Sequence, residues 1–217
     1  MAEIDQYHRC RLLFGDKFET LLNAKVLLLG VGGVGSFCLD ALYRTGVTNI
    51  TAVDCDVYDI TNQNRQIGSD KVGMVKVDRM KELYPNITPI NTTVTLEWIQ
   101  AHDFSRYDLV IDAIDDMRAK VALANTVTTK LISSTGGAKK MDPTRIQITS
   151  IWKTEGDPLA KKFRYELRKS GFKGNLKVVY SNELSNCTEL GSFVGVTGSF
   201  GLAMASLAVN ELLDLKA

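Results

Sequence analysis

Proline and cysteine are scarce, with four of each among 217 residues. Seventeen glycines beside so little proline exclude a collagen-like or low-complexity chain. Cys10, Cys38, Cys55 and Cys187 form no C-x-x-C pair, which argues against a structural zinc ribbon. Scattered single cysteines behind a polar, acidic Met1–Gln6 predict a cytoplasmic protein rather than a secreted one. Neither sign of charge dominates: 26 Lys+Arg stand against 25 Asp+Glu, for a net +1. That balance excludes a protein-wide basic field, so any nucleic-acid contact must use a local patch. Hydrophobic residues make up 45%, which excludes a disordered chain and suffices for one core. A single domain over residues 1–217 is expected, without internal repeat or long linker.

Only one long stretch lacks charge, Leu190–Asn210. It has the length of a membrane span, but Gly191, Gly195, Gly198, Gly201 and several hydroxyl residues dilute it. It reads as a helix from about Phe193 to Leu213, buried in a protein and packed closely through its small residues.

Before it, apolar strands alternate with amphipathic helices. Strands are predicted at Lys25–Leu29, Asn49–Val53, Ile87–Val94, Tyr107–Ile111 and Lys130–Ser134. Helices are predicted at Val34–Thr45, with Gly46 past its end, at Lys71–Leu83, stopped by Pro85, and at Arg118–Thr129. Such alternation implies a mostly parallel sheet with helices on both faces. After Gly136 the pattern changes. Arg145–Trp152 alternates like a strand, Pro158 opens a charged helix to about Lys169, and Leu176–Tyr180 is another strand. The expected class is α/β, a Rossmann-like sheet with added C-terminal strands and the small-residue helix. Residues 24–135 form the nucleotide-binding half and 136–217 the substrate-side and dimerisation half.

Gly30-Val31-Gly32-Gly33-Val34-Gly35 follows a strand and opens a helix, the context a G-x-G-x-x-G match requires. Gly30 makes the turn, Gly32 and Gly33 admit phosphate to the backbone, and Gly35 lets helix and strand approach. Without a ligand the same run would be only a tight turn. Asp54 ends the next strand, where a carboxylate accepts bonds from ribose hydroxyls. NAD, FAD and ATP fit this much equally.

The following segment separates them. Asp54–Gln66, with Asp56 and the ending Asn62-Gln63-Asn64-Arg65-Gln66, is a polar loop where a dehydrogenase would start a helix. Arg65 and Lys76 supply the positive charge a triphosphate needs, although each alone reads as a solvated surface residue. Asp112-Ala113-Ile114-Asp115-Asp116 ends a strand where ligands sit in open parallel sheets. Asp115 is placed at a phosphate-bound Mg²⁺ and Asp116 as the helix cap.

Gly30–Gly35, Asp54–Gln66, Gly73–Lys76 and Asp112–Asp116 together resemble the adenylating superfamily of ubiquitin-activating-type enzymes. The resemblance implies ATP as cosubstrate and Mg²⁺ as cofactor. It puts Asp54 on the ribose, Asn64, Arg65 and Lys76 on the phosphates, and Asp115 at the metal. Arg9, in Tyr7-His8-Arg9, matches an arginine that reaches the partner protomer's phosphates, which implies a homodimer. Thr135–Ala138, Met141–Ile148, Lys153–Leu159 and Val178–Glu183 resemble the tRNA threonylcarbamoyladenosine dehydratases in particular. That likeness implies ATP-dependent cyclisation of threonylcarbamoyladenosine in tRNA through a carboxylate adenylate. The Tyr180–Phe193 stretch is shorter than in longer relatives. Activators of sulfur-carrier proteins, the alternative, carry zinc-binding cysteine pairs that this chain lacks.

Cys187 has two readings, a thiol acting after adenylation with a sulfur-transfer or cysteine-desulfurase partner, or an incidental one. The incidental reading is favoured, because a thiol of ordinary acidity is mostly protonated at neutral pH. For tRNA, Lys161, Lys162, Arg164, Arg168, Lys169, Lys173 and Lys177 form a basic patch opposed only by Glu166. Tyr165 and Phe172 are candidates to stack on a base, or are core aromatics.

Overall fold

A computed structural model describes residues 4–215; Met1–Glu3 of the polar N-terminal stretch and residues 216–217 lie outside it. Two short helices not anticipated from the sequence, α1 (His8–Phe14) and α2 (Phe18–Asn23), lead into β1 (Lys25–Leu29). Then follow α3 (Gly35–Thr45), β2 (Asn49–Val53), α4 (Lys76–Leu83), β3 (Thr88–Ile90), α5 (Leu96–Ala101), β4 (Leu109–Asp112), α6 (Met117–Thr126) and β5 (Lys130–Ser134). The C-terminal part adds β6 (Ile146–Ser150), α7 (Pro158–Lys169), β7 (Lys177–Ser181) and α8 (Val194–Leu212). One sheet runs β3-β2-β1-β4-β5-β7-β6, parallel throughout except where β6 pairs antiparallel with β7.

β1 shows why helices cover both faces. Its side chains alternate, and both sets are fully buried. Val26 and Leu28 join a cluster with Leu39 and Leu42 of α3, Met80 of α4 and Phe200 and Met204 of α8. Leu27 and Leu29 join another with Ile99 of α5 and Leu123 of α6. A third cluster lies beneath α7, where Ala160, Phe163 and Leu167 meet Val178 and Tyr180 of β7.

The uncharged segment is the helix it was expected to be. α8 packs on α3 so closely that a Cβ on Gly201 would come 2.9 Å from the Cys38 backbone nitrogen. Glycine there lets two backbones approach, and any larger residue forces them apart. No helix among the described residues is long and apolar enough to cross a membrane.

Two predicted elements are each five residues shorter than expected. The helix predicted from Lys71 starts at Lys76, because residues 73–75 are committed elsewhere. The Gly73 N–H donates to the Tyr58 carbonyl, the Tyr58 N–H donates to the Met74 carbonyl, and Val57 bridges Val75. The third strand keeps only Thr88–Ile90 of the predicted Ile87–Val94, at the sheet edge where Pro89 is tolerated. Its remainder gives way to α5, whose cap Thr95 accepts the Trp98 N–H at 3.2 Å.

Candidate active site

The glycine loop sits at the carboxyl ends of β1 and β4, where the strand order reverses. Gly30 has φ +87°, and a Cβ there would lie 2.8 Å from the Ala113 carbonyl oxygen. Gly35, first in α3, stands so close to the Gly30 carbonyl that a Cβ would overlap it. Gly32 differs: an added Cβ would meet only Gln66 Nε2, at 3.9 Å. The loop therefore leaves open space above its backbone, the cradle a phosphate requires. Gly33 faces Arg65, whose Cγ would be 3.4 Å from an added Cβ.

Asp54 closes the loop from β2. Its Oδ2 accepts the Val31 N–H at 2.8 Å and its Oδ1 accepts the Asp56 N–H at 2.9 Å. Both bonds orient the carboxylate and leave further lone pairs for a ribose. Asp56 itself faces Lys76, whose Nζ donates to Oδ2 at 2.7 Å. Lys76 is buried at the start of α4 and Asp56 is exposed.

The Asp59–Gln66 loop is held by local bonds. Asp59 accepts the Thr61 N–H, and Asn62 returns a bond to the Asp59 N–H, a reciprocal cap for a short 3₁₀ turn. The Thr61 hydroxyl and backbone N–H hold the Asp59 carboxyl below the usual carboxylate range. Beneath the loop, the buried Tyr58 hydroxyl donates to the Ile67 carbonyl at 2.6 Å, and burial pushes its pKa up. Arg65 Nη1 donates to the Thr61 carbonyl at 2.7 Å and to Asn64 Oδ1 at 2.9 Å. Asn64 Nδ2 reaches across to the Ser192 carbonyl at 2.7 Å, tying this loop to the entry of α8.

Past β4, Asp116 caps α6 by accepting the Ala119 N–H at 2.7 Å. Asp115 is exposed and makes no hydrogen bond or ion pair among the described residues. An uncommitted carboxylate beside a phosphate cradle suits Mg²⁺, which takes one or two carboxylates and fills the rest with phosphate oxygens and water. Asp54, Cys55 and Asp56 also bring ligand atoms within 4.8 Å of one another. The bonds of Asp54 and Asp56 to Val31, Asp56 and Lys76 already commit that group.

The site thus gathers Gly30, Gly32, Gly33, Gly35, Asp54, Asp56, Asn64, Arg65 and Lys76 around one edge, with Asp115 at the end of the neighbouring strand. Arg9 stands apart, exposed on α1. A cavity of about 630 Å³, lined by Glu19, Asn23, Asp108 and Lys130, opens at the opposite edge, but Lys130 there is paired with Asp214.

Two features of the fold were not anticipated from the sequence. Asp112 and Lys120 form a buried ion pair under the β4–α6 turn, with Nζ 2.9 Å from both carboxylate oxygens. In the C-terminal part, the Glu183 carboxylate accepts the Met141 and Asp142 N–H groups and the Asn186 amide. Burial alone would raise its pKa, but those donors outweigh it and hold it below 4.5. The Lys140 ammonium lies buried on the Ser181 and Glu183 carbonyls. Helical spacing places Lys120 one turn past the cap Asp116 and would pair those two, whereas its partner is Asp112 at the end of β4. Glu183 offered no spacing rule, because the backbone donors of Met141 and Asp142 lie about forty residues away.

The basic patch divides. Arg164 donates to the Thr154 carbonyl, Lys177 pairs with Glu211 and Arg168 lies over the Trp152 ring. Lys161, Lys162, Lys169 and Lys173 are exposed and unpaired among the described residues. Tyr165 is 62% exposed. Phe172 packs half-buried against the α7 core and stacks on Trp152.

Comparison with known proteins identifies relatives of the whole chain. The tRNA threonylcarbamoyladenosine dehydratase of Bacillus subtilis (strain 168) is 43% identical over 192 residues, 83% of this chain and 76% of that protein. Crystal structures of the E. coli tRNA N6-threonylcarbamoyladenosine dehydratase with ATP and with AMP match at TM-score 0.89, with 32% and 33% identity. Each covers 96% of this chain and 94% of its own. A family model also matches from residue 6 to residue 215, and the chain belongs to the ThiF family.

Proposed function

We propose that this chain is an ATP-dependent tRNA threonylcarbamoyladenosine dehydratase. The observation that carries this reading is the convergence of the open glycine loop, Asp54, Arg65 and Lys76 at one sheet edge, in a chain 43% identical to a protein of that name. The threonyl carboxylate attacks the α-phosphorus of ATP, and the bond to the departing pyrophosphate breaks. The carbamoyl oxygen then attacks the activated carbonyl, AMP leaves, and the ring closes with loss of a proton. Ring closure is intramolecular and can gain an effective molarity of about 10⁵ M or more, so it needs no protein nucleophile.

Asp54 holds the ribose. Arg65, Asn64 and Lys76 stabilise the charge that builds on pyrophosphate. Asp115 would hold Mg²⁺, which would supply further charge neutralisation on the phosphates. Residues 24–135 bind the nucleotide, and 136–217 carry the tRNA and dimer contacts. Lys161, Lys162, Lys169 and Lys173 take tRNA phosphates, with Tyr165 beside them. Leu202 of α8 and Ile148 of the edge strand β6 are both exposed, and a second copy of the chain covers them in a homodimer that delivers Arg9 to the partner's phosphates. Cys187 is exposed, with Sγ 3.1 Å from the Glu189 carbonyl. Its thiol is incidental to ring closure, and Cys187→Ser is expected to turn over as wild type without a sulfur-transfer partner.

The test is mass spectrometry of nucleosides from modified tRNA incubated with protein and ATP. Loss of one water from threonylcarbamoyladenosine is expected, with AMP and pyrophosphate formed only when that tRNA is present. Pyrophosphate release with a small carrier protein ending in Gly-Gly, and none with tRNA, would instead establish the alternative, an adenylyltransferase for sulfur carriers.

A further inference from the structure

The side chains of Lys120 and Asp112 are each 1% exposed. Lys120 Nζ donates to both Asp112 oxygens at 2.9 Å, to Ser133 Oγ at 3.2 Å and to the Ser134 carbonyl at 2.8 Å. Ser133 Oγ donates in turn to Asp112 Oδ2 at 2.5 Å, and the Ile114 N–H donates to Asp112 Oδ1 at 3.2 Å. Every bond converges on three places: the end of β4, the end of β5 and the turn that follows β4. An apolar filling would serve stability as well or better, since buried ion pairs are often replaced by hydrophobic residues at no loss. What such a filling lacks is direction. The network fixes one conformation of the Asp112–Asp116 turn, which carries Asp115 outward and presents the Ala113 carbonyl against Gly30.

We propose that Lys120 is a positioning residue for adenylation: through Asp112 and Ser133 it holds the β4–α6 turn, and with it Asp115, in register with the glycine loop. This role rests on the assignment of Asp115 to the phosphate-bound cation. A displacement of about 1 Å at such a group lowers turnover about 100-fold without touching the substrate's own contacts.

The test replaces the whole network by apolar residues, in the triple variant Asp112→Leu, Lys120→Met, Ser133→Ala. It is expected to unfold at or near the wild-type temperature, with kcat about 100-fold lower and the KM for ATP within about threefold. The affinity for Mn²⁺, measured with a non-hydrolysable ATP analogue bound, falls in parallel. A folded triple variant with wild-type kcat and Mn²⁺ affinity overturns the proposal. Should the triple variant not fold, Ser133→Ala alone removes two bonds of the network, one to Lys120 and one to Asp112. A several-fold loss of kcat and Mn²⁺ affinity there supports the role, and wild-type values overturn it. Asp115→Asn separates the two assignments. If it matches wild type in turnover and Mn²⁺ affinity, the Asp115 assignment fails and takes this role with it. If it is crippled while the folded network variant is not, the role of Lys120 alone is overturned.

Discussion

The buried Lys76 ammonium donates to the exposed Asp56 carboxylate at 2.7 Å, so two residues of the proposed nucleotide site neutralise one another in the free protein. The pair holds the lysine's long side chain in one conformation at the start of α4. A triphosphate brings more charge than Asp56 and would compete for the same ammonium. Lys76→Met is therefore expected to lower kcat for pyrophosphate formation about 100-fold. Asp56→Asn, which keeps the shape, is expected to lower it less than about 10-fold. Steady-state kinetics with modified tRNA and ATP checks both, and equal losses would make Asp56 a nucleotide contact in its own right.

Gly32 and Gly35 make a second, paired prediction. Gly35→Ala puts a methyl group into the Gly30 carbonyl and is expected to lower the unfolding temperature and abolish ATP binding together. Gly32→Ala finds open space, so the protein is expected to unfold as wild type while losing ATP affinity, because the methyl occupies phosphate space. Thermal unfolding beside calorimetric titration with ATP distinguishes them. Normal ATP affinity in Gly32→Ala would place the phosphates elsewhere.

Glu183 sets a pH dependence. A carboxyl whose pKa is depressed by folding lends stability above its unfolded value and loses it as pH falls through the folded one. Its ordinary value is 4.5, and the Asp142, Met141 and Asn186 donors hold it lower against the opposing effect of burial. Glu183→Gln is expected to unfold about 4 °C below wild type at neutral pH. The gap should narrow as pH is taken below 4.5, which unfolding temperatures measured across that range would show. A constant gap would mean that the donors do not prefer the charged form.

The α7 surface separates charge from packing. Reversing Lys161 and Lys162 to glutamate is expected to weaken tRNA binding and to flatten its dependence on salt, by about 0.7–0.9 in slope for each phosphate no longer neutralised. Phe172→Ala should destabilise the protein by up to about 3 kcal/mol, through the space it leaves beside Trp152, and should leave the salt slope as it was. Filter binding at several salt concentrations, together with urea unfolding, checks the two in parallel.

Much was legible in the residues themselves because it is local. A glycine run between an apolar strand and a helix has few other uses. An uncharged segment rich in glycine predicts close helix packing, and Gly201 against Cys38 provides it. Asp116 as a cap followed from its place before α6. α4 was predicted five residues too long for the same reason turned around: its first turn is lost to pairing with Tyr58, thirteen or more residues earlier, and no local pattern records that.

What the sequence alone determined is the alternation of strands and helices, the glycine loop and the family, all properties of short stretches read in order. Tertiary structure decided which charges are free to act. It spends Arg164, Arg168 and Lys177 on internal contacts, packs Phe172 half-buried against Trp152, sets Lys76 against Asp56 and hides Lys120 beneath the turn that carries Asp115. The physical reason is that the state of a charge depends on its partners and on its separation from water, and folding draws those partners from distant parts of the chain.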